Sequence, residues 1–257
     1  MTAFHVVIPA RYGSTRLPAK VLRPLAGRPM IAHVYERAQR SGAQSVCIAT
    51  DDHRVREAAE AFGARVVMTS GHHQSGTERI AEVVEREGLD DAAIVVNLQG
   101  DEPLMPPDLL RQVASVLAAH ATASVATLCT AIEEKQDLFD PNVVKVVTDS
   151  DGMALYFSRA PIPWARGVFP DGPLPVEFTY YRHLGVYAYR AGFLMEFVSW
   201  THTPLEEVEA LEQLRALWYG RRIVVATAAE ACPPGVDTEQ DLRRAEALLA
   251  GIGDGQV

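Results

Sequence analysis

Ala93-Ile94-Val95-Val96-Asn97-Leu98-Gln99-Gly100-Asp101-Glu102-Pro103 is the stretch on which the fold turns. Residues 93–98 form a short, almost continuously apolar run, as expected of a strand covered on both sheet faces. Gly100 permits a tight turn, and Pro103 stops the strand. Reading toward the N-terminus, helical patterns at 77–86, 54–62 and 29–39 alternate with apolar runs at 65–68, 45–49 and 4–8. Gly88, Gly63 and Gly42 follow the three helices, and Pro29 sits in the first turn of one. Reading toward the C-terminus, a helix at 107–120 and a strand at 123–128 continue the rhythm. Strand, helix, strand in this order predicts right-handed crossovers. The expected class is α/β, a mostly parallel central sheet with helices on both faces.

The rhythm changes near Asn142. Strands are expected at 143–148 and 154–157, around the turn Asp149-Ser150-Asp151-Gly152. A Pro/Gly-rich excursion at about 157–182 reads as a surface arm or lid. Beyond it the pattern predicts a strand at 184–189, a helix at 204–219, a strand at 222–226, a helix at 238–249 and a frayed tail at 251–257. No repeat or linker divides the chain, so residues 1–257 are read as one domain with an inserted arm.

Composition narrows the function classes. With 48% hydrophobic and 22% charged residues, the chain is ordinary for a water-soluble globular protein. A net charge of −9 disfavours a nucleic-acid partner. An anionic substrate would therefore need local basic clusters or a bound cation. The three cysteines, Cys47, Cys129 and Cys232, form no C-x-x-C, which fits a reducing cytoplasm. The N-terminus lacks a signal-peptide pattern. Residues 113–132 carry no formal charge, but His120 and several Ser and Thr interrupt them, so they read as core and no membrane partner is expected.

Ligands on such sheets lie beyond the carboxyl ends of the strands. After residue 8 comes Pro9-Ala10-Arg11-Tyr12-Gly13-Ser14-Thr15-Arg16-Leu17-Pro18-Ala19-Lys20. Arg11, Arg16 and Lys20 surround a Gly-Ser-Thr turn, an arrangement suited to gripping a triphosphate. The alternative is a solvated basic loop. Neither G-x-x-x-x-G-K-[ST] nor G-x-G-x-x-G occurs in it. Ser75-Gly76-Thr77-Glu78-Arg79 reads as a helix start, with Ser75 and Glu78 as a capping box, and equally as a source of free N–H donors for a ligand. Asp101 projects from the ligand edge as a candidate Mg2+ ligand or as an Asx-turn residue. Asp237, ahead of the last helix, reads first as a cap. Glu212 and Arg215 suit a helix-face pair, and His183 and Tyr187 suit core packing.

Taken together, these segments resemble the sugar-nucleotide cytidylyltransferases, within the nucleotide-diphospho-sugar transferase-like fold that also holds sugar pyrophosphorylases. Those usually carry a glycine-rich L-A-A-G-x-G-T loop, where this chain has Pro9-Ala10-Arg11. The resemblance extends through His73-Gln74-Ser75-Gly76-Thr77-Glu78-Arg79, Asn97 to Pro103, Tyr156 to Trp164, Arg182 to Tyr187, Leu211 to Arg215 and Gly235 to Thr238. Within the family it is closest in pattern to members acting on 3-deoxy-manno-octulosonate (Kdo).

The resemblance implies a Mg2+-dependent transfer of the cytidylyl group of CTP to the anomeric hydroxyl of Kdo, serving lipopolysaccharide assembly. It places CTP against Pro9, Ala10, Arg11, Gly13, Ser14, Thr15, Arg16 and Lys20, with Ser75, Gly76, Arg79 and Gln99 on the cytosine and ribose side. It makes Asp101 and Asp237 the metal ligands, and Arg11, Lys20, Asp101 and Asp237 the catalytic set. Gln99, Arg159, His183, Tyr187, Glu212 and Gln213 are implied for Kdo. It also implies a homodimer joined through a small β-rich arm, although a lid over the sugar pocket fits that segment as well. Two other readings stay open: the same chemistry on 8-amino-Kdo or a sialic acid, and a non-catalytic nucleotide-sensing module.

Overall fold

The computed structural model describes residues 2–13 and 17–253. The candidates Ser14, Thr15 and Arg16 lie outside the described residues. The first half contains β1 (His5–Pro9), β2 (Pro24–Leu25), β3 (Arg28–Pro29), α1 (Met30–Arg40), β4 (Ser45–Thr50), α2 (His53–Ala61), β5 (Val66–Met68), α3 (Gly76–Glu87), β6 (Ile94–Asn97), α4 (Pro107–Ala119) and β7 (Val125–Ala131). The second half contains α5 (Lys135–Phe139), β8 (Lys145–Thr148), β9 (Ala154–Ser158), β10 (Tyr181–Arg190), α6 (Ala191–Phe197), α7 (Pro204–Glu209), α8 (Gln213–Trp218), β11 (Ile223–Thr227) and α9 (Glu239–Gly253).

The main sheet runs β11-β7-β10-β6-β1-β4-β5. Strands β6, β1, β4 and β5 are mutually parallel, as are β7 and β11. Only β10 runs against its neighbours in this row. Strand β8 pairs with the start of β10, and β9 pairs with β8.

Alternation along β1 sorts its side chains between two cores. Val6 and Ile8 join Val34 of α1, Val55 of α2 and Leu109, Val113 and Leu117 of α4 on one face. Val7 joins Ile80 and Val84 of α3, Phe193 and Phe197 of α6 and Leu214 of α8 on the other. Each fully buried Leu or Val contributes roughly 1.5–3 kcal/mol relative to exposure. The charge-free stretch at 113–132 divides between α4 and β7 as expected, and no helix among the described residues is long and apolar enough to cross a membrane.

Three expectations are corrected. The single helix expected at 204–219 is two short helices broken at Ala210, whose φ of 49° is left-handed. Its apolar spacing is helical throughout, but Thr203 and Glu206 complete a capping box and Arg215 folds back onto Glu206 at 2.5 Å. That closes the first helix after two turns. The strand expected at 184–189 begins at Tyr181, because the first residues of β10 pair with the end of β7 and also with β8. The arm is not β-rich: among residues 159–180 there is no strand, and the strands β9 and β10 only flank it. Nor is it devoid of core, since Phe169 and Tyr180 pack with Ile132 and Leu138 in a separate apolar cluster.

Candidate active site

The carboxyl ends of β1 and β6 open into a cleft of about 280 Å3. Pro9, Ala10, Arg11, Gly13 and Lys20 line it from the first loop; Ser75, Gly76 and Arg79 from α3; Gln99 and Asp101 from the turn after β6; and Asp237 from the segment before α9. Every described residue assigned to CTP or metal therefore meets in one place. Val21, His73, Gln74 and Gly100 complete the wall.

Close backbone packing builds the cleft. A Cβ on Gly100 would stand 3.0 Å from the Pro9 carbonyl oxygen, so glycine lets the Asp101 turn sit against β1 without displacing it. A Cβ on Gly76 would stand 3.3 Å from the Pro9 ring, which seats the start of α3 beside the same residue. Ser75 caps α3, its hydroxyl accepting from the Glu78 N–H at 3.2 Å. The reciprocal half of the expected capping box is displaced by one residue, for Glu78 accepts from the Gln74 N–H at 2.7 Å. The helix N-terminus contributes a partial positive charge to the cleft.

Asp101 and Asp237 are brought together by a backbone bond. The Val236 N–H donates to the Asp101 carbonyl at 2.8 Å, and the Val236 side chain is buried with Leu17, Leu25 and Met30. Gly235 packs tightly there: a Cβ would stand 2.7 Å from Glu102 Oε1, so any other residue would displace the Glu102 carboxyl. Thr238 caps α9, accepting from the Asp241 N–H at 3.2 Å, while Asp241 Oδ2 accepts from the Thr238 N–H at 3.0 Å. The capping alternative for Asp237 thus falls to its neighbour.

Lys20 Nζ donates to Asp101 Oδ2 at 2.5 Å and to Asp237 Oδ1 at 3.0 Å. Burial alone would lower the lysine pKa, but the two carboxylates outweigh it and raise it. Burial, followed by the charges of Asp101 and Asp237, pushes the neighbouring Glu102 carboxyl up to about 8. Two carboxylates converging on one cation fit a hard divalent ion, which takes one or two carboxylates with substrate phosphates and water. Among the described residues no group of three or more His, Cys, Asp and Glu side chains forms a cation cage.

Arg79 is buried, its guanidinium bonded to Thr69 Oγ1 and 3.3 Å from Asp51 Oδ1. Arg11 is exposed at the cleft.

The residues assigned to the acid sugar form a second group. Tyr187, Glu212 and Gln213 border a cavity of about 120 Å3 with Thr77, Tyr189 and Phe193. The Ala210 break sets Glu212 at the start of α8. Its Oε2 accepts from Thr77 Oγ1 at 2.6 Å, and its buried Oε1 has no partner. Arg215 pairs with Glu206, so the helix-face pair with Glu212 does not form. His183 rests against Tyr187 with ring centroids 5.2 Å apart, and its Nε2 meets Thr127 Oγ1 at 2.9 Å. Burial drives the imidazole pKa down to about 3, so it is neutral at pH 7.

Arg159 is not in the cleft wall. Its Nε donates to the Glu209 carbonyl at 2.7 Å, Nη1 to that of Pro141 at 2.9 Å, and Nη2 to that of Ala210 at 3.4 Å. It therefore latches the arm's root to the helix break. Three of its five N–H donors are engaged, which leaves two for a ligand. Gln99 lines the first cleft and bonds through Nε2 to Asn97 Oδ1 at 3.2 Å. Sequence reasoning missed Glu102, although it stands inside the quoted motif, and the buried polar residues Thr77 and Asn97.

A family model for cytidylyltransferases matches residues 5–223. A 3-deoxy-manno-octulosonate cytidylyltransferase of Hahella chejuensis is 56% identical over 252 residues, 97% of this chain and 99% of the relative. One of Pseudomonas fluorescens is 58% identical over 250 residues, covering 96% and 98%. The chain also superimposes on CMP:2-keto-3-deoxy-manno-octonic acid synthetase complexed with CTP, with a TM-score of 0.89, 41% identity and coverage of 98% and 100%. A cytidylyltransferase from Leptospira borgpetersenii, at 16% identity and a TM-score of 0.60, shares the fold.

Proposed function

We propose that this chain, which belongs to the cytidylyltransferase family, joins the cytidylyl group of CTP to the anomeric hydroxyl of 3-deoxy-manno-octulosonate, releasing pyrophosphate and forming CMP-Kdo. The observation that carries the reading is the cleft in which Lys20 bridges Asp101 and Asp237 beside the N-terminus of α3. Near full-length similarity to relatives bearing that activity supports it.

The chemistry needs positioning and charge neutralisation, without a covalent enzyme intermediate. Ser75, Gly76 and Arg79 hold the cytosine and ribose. Arg11, Arg16 and Lys20 neutralise the departing pyrophosphate, with Pro9, Ala10, Gly13, Ser14 and Thr15 shaping the loop around it. Asp101 and Asp237 would hold Mg2+, which would supply Lewis-acid polarisation and charge neutralisation there.

Gln99, Tyr187, Glu212 and Gln213 recognise the sugar polyol, and Arg159 offers its two remaining N–H groups to the sugar carboxylate. His183, being neutral, contributes a hydrogen bond and no charge. Product identification by mass spectrometry tests substrate choice. With CTP and an equimolar mixture of Kdo, 8-amino-Kdo and a sialic acid, CMP-Kdo is expected as the dominant product. A dominant product from either other sugar overturns the assignment.

The working site is the cytoplasm, consistent with three free cysteines, and the product serves lipopolysaccharide assembly. The assembly is a two-fold homodimer with the arm near the interface. In support, Trp164 is 52% exposed and Phe178 47%, much apolar area for a lone surface segment. Sedimentation equilibrium at micromolar concentration checks this, and a single species near the 28.1 kDa chain mass refutes the dimer.

A further inference from the structure

One carboxylate that no step above uses sits where two sugar-binding segments meet. Glu209, the last residue of α7, is half-buried against Ser158, the last residue of β9. Its Oε1 accepts from Ser158 Oγ at 2.6 Å, and its Oε2 accepts from the Arg159 N–H at 2.9 Å. Ser158 is 2% exposed, so its hydroxyl needs partners inside the fold. It donates to Glu209 and accepts from the Ala160 N–H at 3.0 Å.

The clasp is reciprocal. The Glu209 side chain holds residues 158 and 159, while the Arg159 side chain holds the main chain at 209 and 210, through Nε to the Glu209 carbonyl at 2.7 Å and Nη2 to that of Ala210 at 3.4 Å. The third guanidinium bond goes to the Pro141 carbonyl. The turn that carries this carbonyl is set from below by Lys145, fully buried, whose Nζ donates to the Asp140 carbonyl at 2.8 Å. All three guanidinium bonds therefore end on neutral carbonyl oxygens. Such bonds fix the plane of the guanidinium without cancelling its charge, and the two N–H groups left over suit an anion. On the other side of the clasp, the left-handed Ala210 turns the chain so that Glu212 and Gln213 border the second cavity.

We propose that Glu209 is a positioning residue for the carboxylate of the acid sugar: through its bonds to Ser158 and Arg159 it holds the Arg159 guanidinium in one orientation relative to the segment that carries Glu212 and Gln213. The inference rests on the assignment of Arg159 to the sugar carboxylate. A clasp of this kind acts through preorganisation, so opening it weakens sugar binding and leaves the nucleotide site alone.

Steady-state kinetics of the full-length enzyme test the proposal. Glu209→Ala removes both acceptors and is expected to raise the sugar KM about ten-fold, the scale of one hydrogen bond to a charged group. The CTP KM should stay within about two-fold and kcat within about three-fold, the pattern of lost uniform binding. Glu209→Gln should restore most of the sugar affinity, because its amide oxygen can accept from the Arg159 N–H while its NH2 donates to Ser158 Oγ. Glu209→Ala added to Arg159→Ala should cost no more than Arg159→Ala alone, since the carboxylate acts through the guanidinium. Should Glu209→Ala fail to fold, Glu209→Met, which fills the space without acceptors, decides. Parental sugar KM in the folded Glu209 variant, with a raised sugar KM in Arg159→Ala, overturns the positioning role. Equal rises in the sugar and CTP KM overturn it as well, by showing a general loss of structure. Parental sugar KM in Arg159→Ala overturns the assignment of Arg159 itself, and the inference with it.

Discussion

Replacing Lys20 with Met should destabilise the metal-free protein and make it respond to Mg2+ in a way the parent does not. Lys20 is 14% exposed, Asp101 29% and Asp237 43%. A charge-assisted hydrogen bond at the Asp101 end contributes about 1.5–3 kcal/mol. The bond to Asp237 is discounted for its exposure to less than about 1 kcal/mol. The sum is roughly 2–3 kcal/mol. At about 2–4 °C per kcal/mol for a chain of this size, Tm should fall by roughly 5–10 °C. Without the ammonium, two carboxylates converge on an empty point, so Mg2+ gains a site it need not contest. Differential scanning calorimetry with and without millimolar Mg2+, in the absence of CTP, should show Lys20→Met recovering several degrees while the parent moves little. Turnover with CTP and Kdo should drop by a factor of about 10²–10³, as expected for a lost preorganised charge. Parental Tm, no Mg2+ response and near-parental turnover in Lys20→Met would refute the argument.

Asp101→Asn and Asp237→Asn should each remove most Mg2+-dependent turnover. Because Thr238 caps α9, Asp237→Asn should keep its fold, and a large Tm loss with normal activity per folded molecule would return Asp237 to a structural role. Arg215→Met should cost about 3–5 kcal/mol in denaturant unfolding, since Arg215 and Glu206 are 2% and 8% exposed and the variant strands a buried carboxylate. Adding Glu206→Gln should recover part of that loss, and no recovery would contradict the ion-pair account. The fourth concerns pH. His183 has its folded pKa lowered to about 3 from 6.5, so the folded state resists protonation. Its contribution to stability should be intact above pH 6.5 and decline as pH falls from 6.5 toward 3. Comparing Tm at pH 8 and pH 5, His183→Gln should lose less than the parent, and equal losses would refute the burial argument.

The parallel half of the sheet was legible because 4–8, 45–49, 65–68 and 93–98 are short apolar runs separated by helical patterns with glycine stops. The ligand edge followed, and with it Lys20 and Asp101. The antiparallel placement of β10 was not legible, since the apolar character of a strand does not encode its direction. The break at Ala210 was hidden for a physical reason: Leu205, Val208, Leu211 and Leu214 keep helical spacing across it, and what ends the helix is the tertiary pair Glu206–Arg215. Asp237 was found only through resemblance. On local grounds the start of α9 offered two capping candidates, and the Val236–Asp101 bond that seats the aspartate joins distant segments. The buried polar residues Thr77 and Asn97 each read locally as a helix or strand residue, and their partners Glu212 and Gln99 are evident only in the fold.

The central claim is most directly tested by pyrophosphate release from purified protein with Mg2+ and Kdo, comparing CTP with ATP and GTP and omitting each substrate in turn. The account predicts release that requires both CTP and Kdo and is at least about a hundred-fold slower with either purine nucleotide, the scale at which one misfit is rejected by a shaped pocket. Release with CTP that does not depend on the sugar, or equal rates with a purine triphosphate, would contradict it.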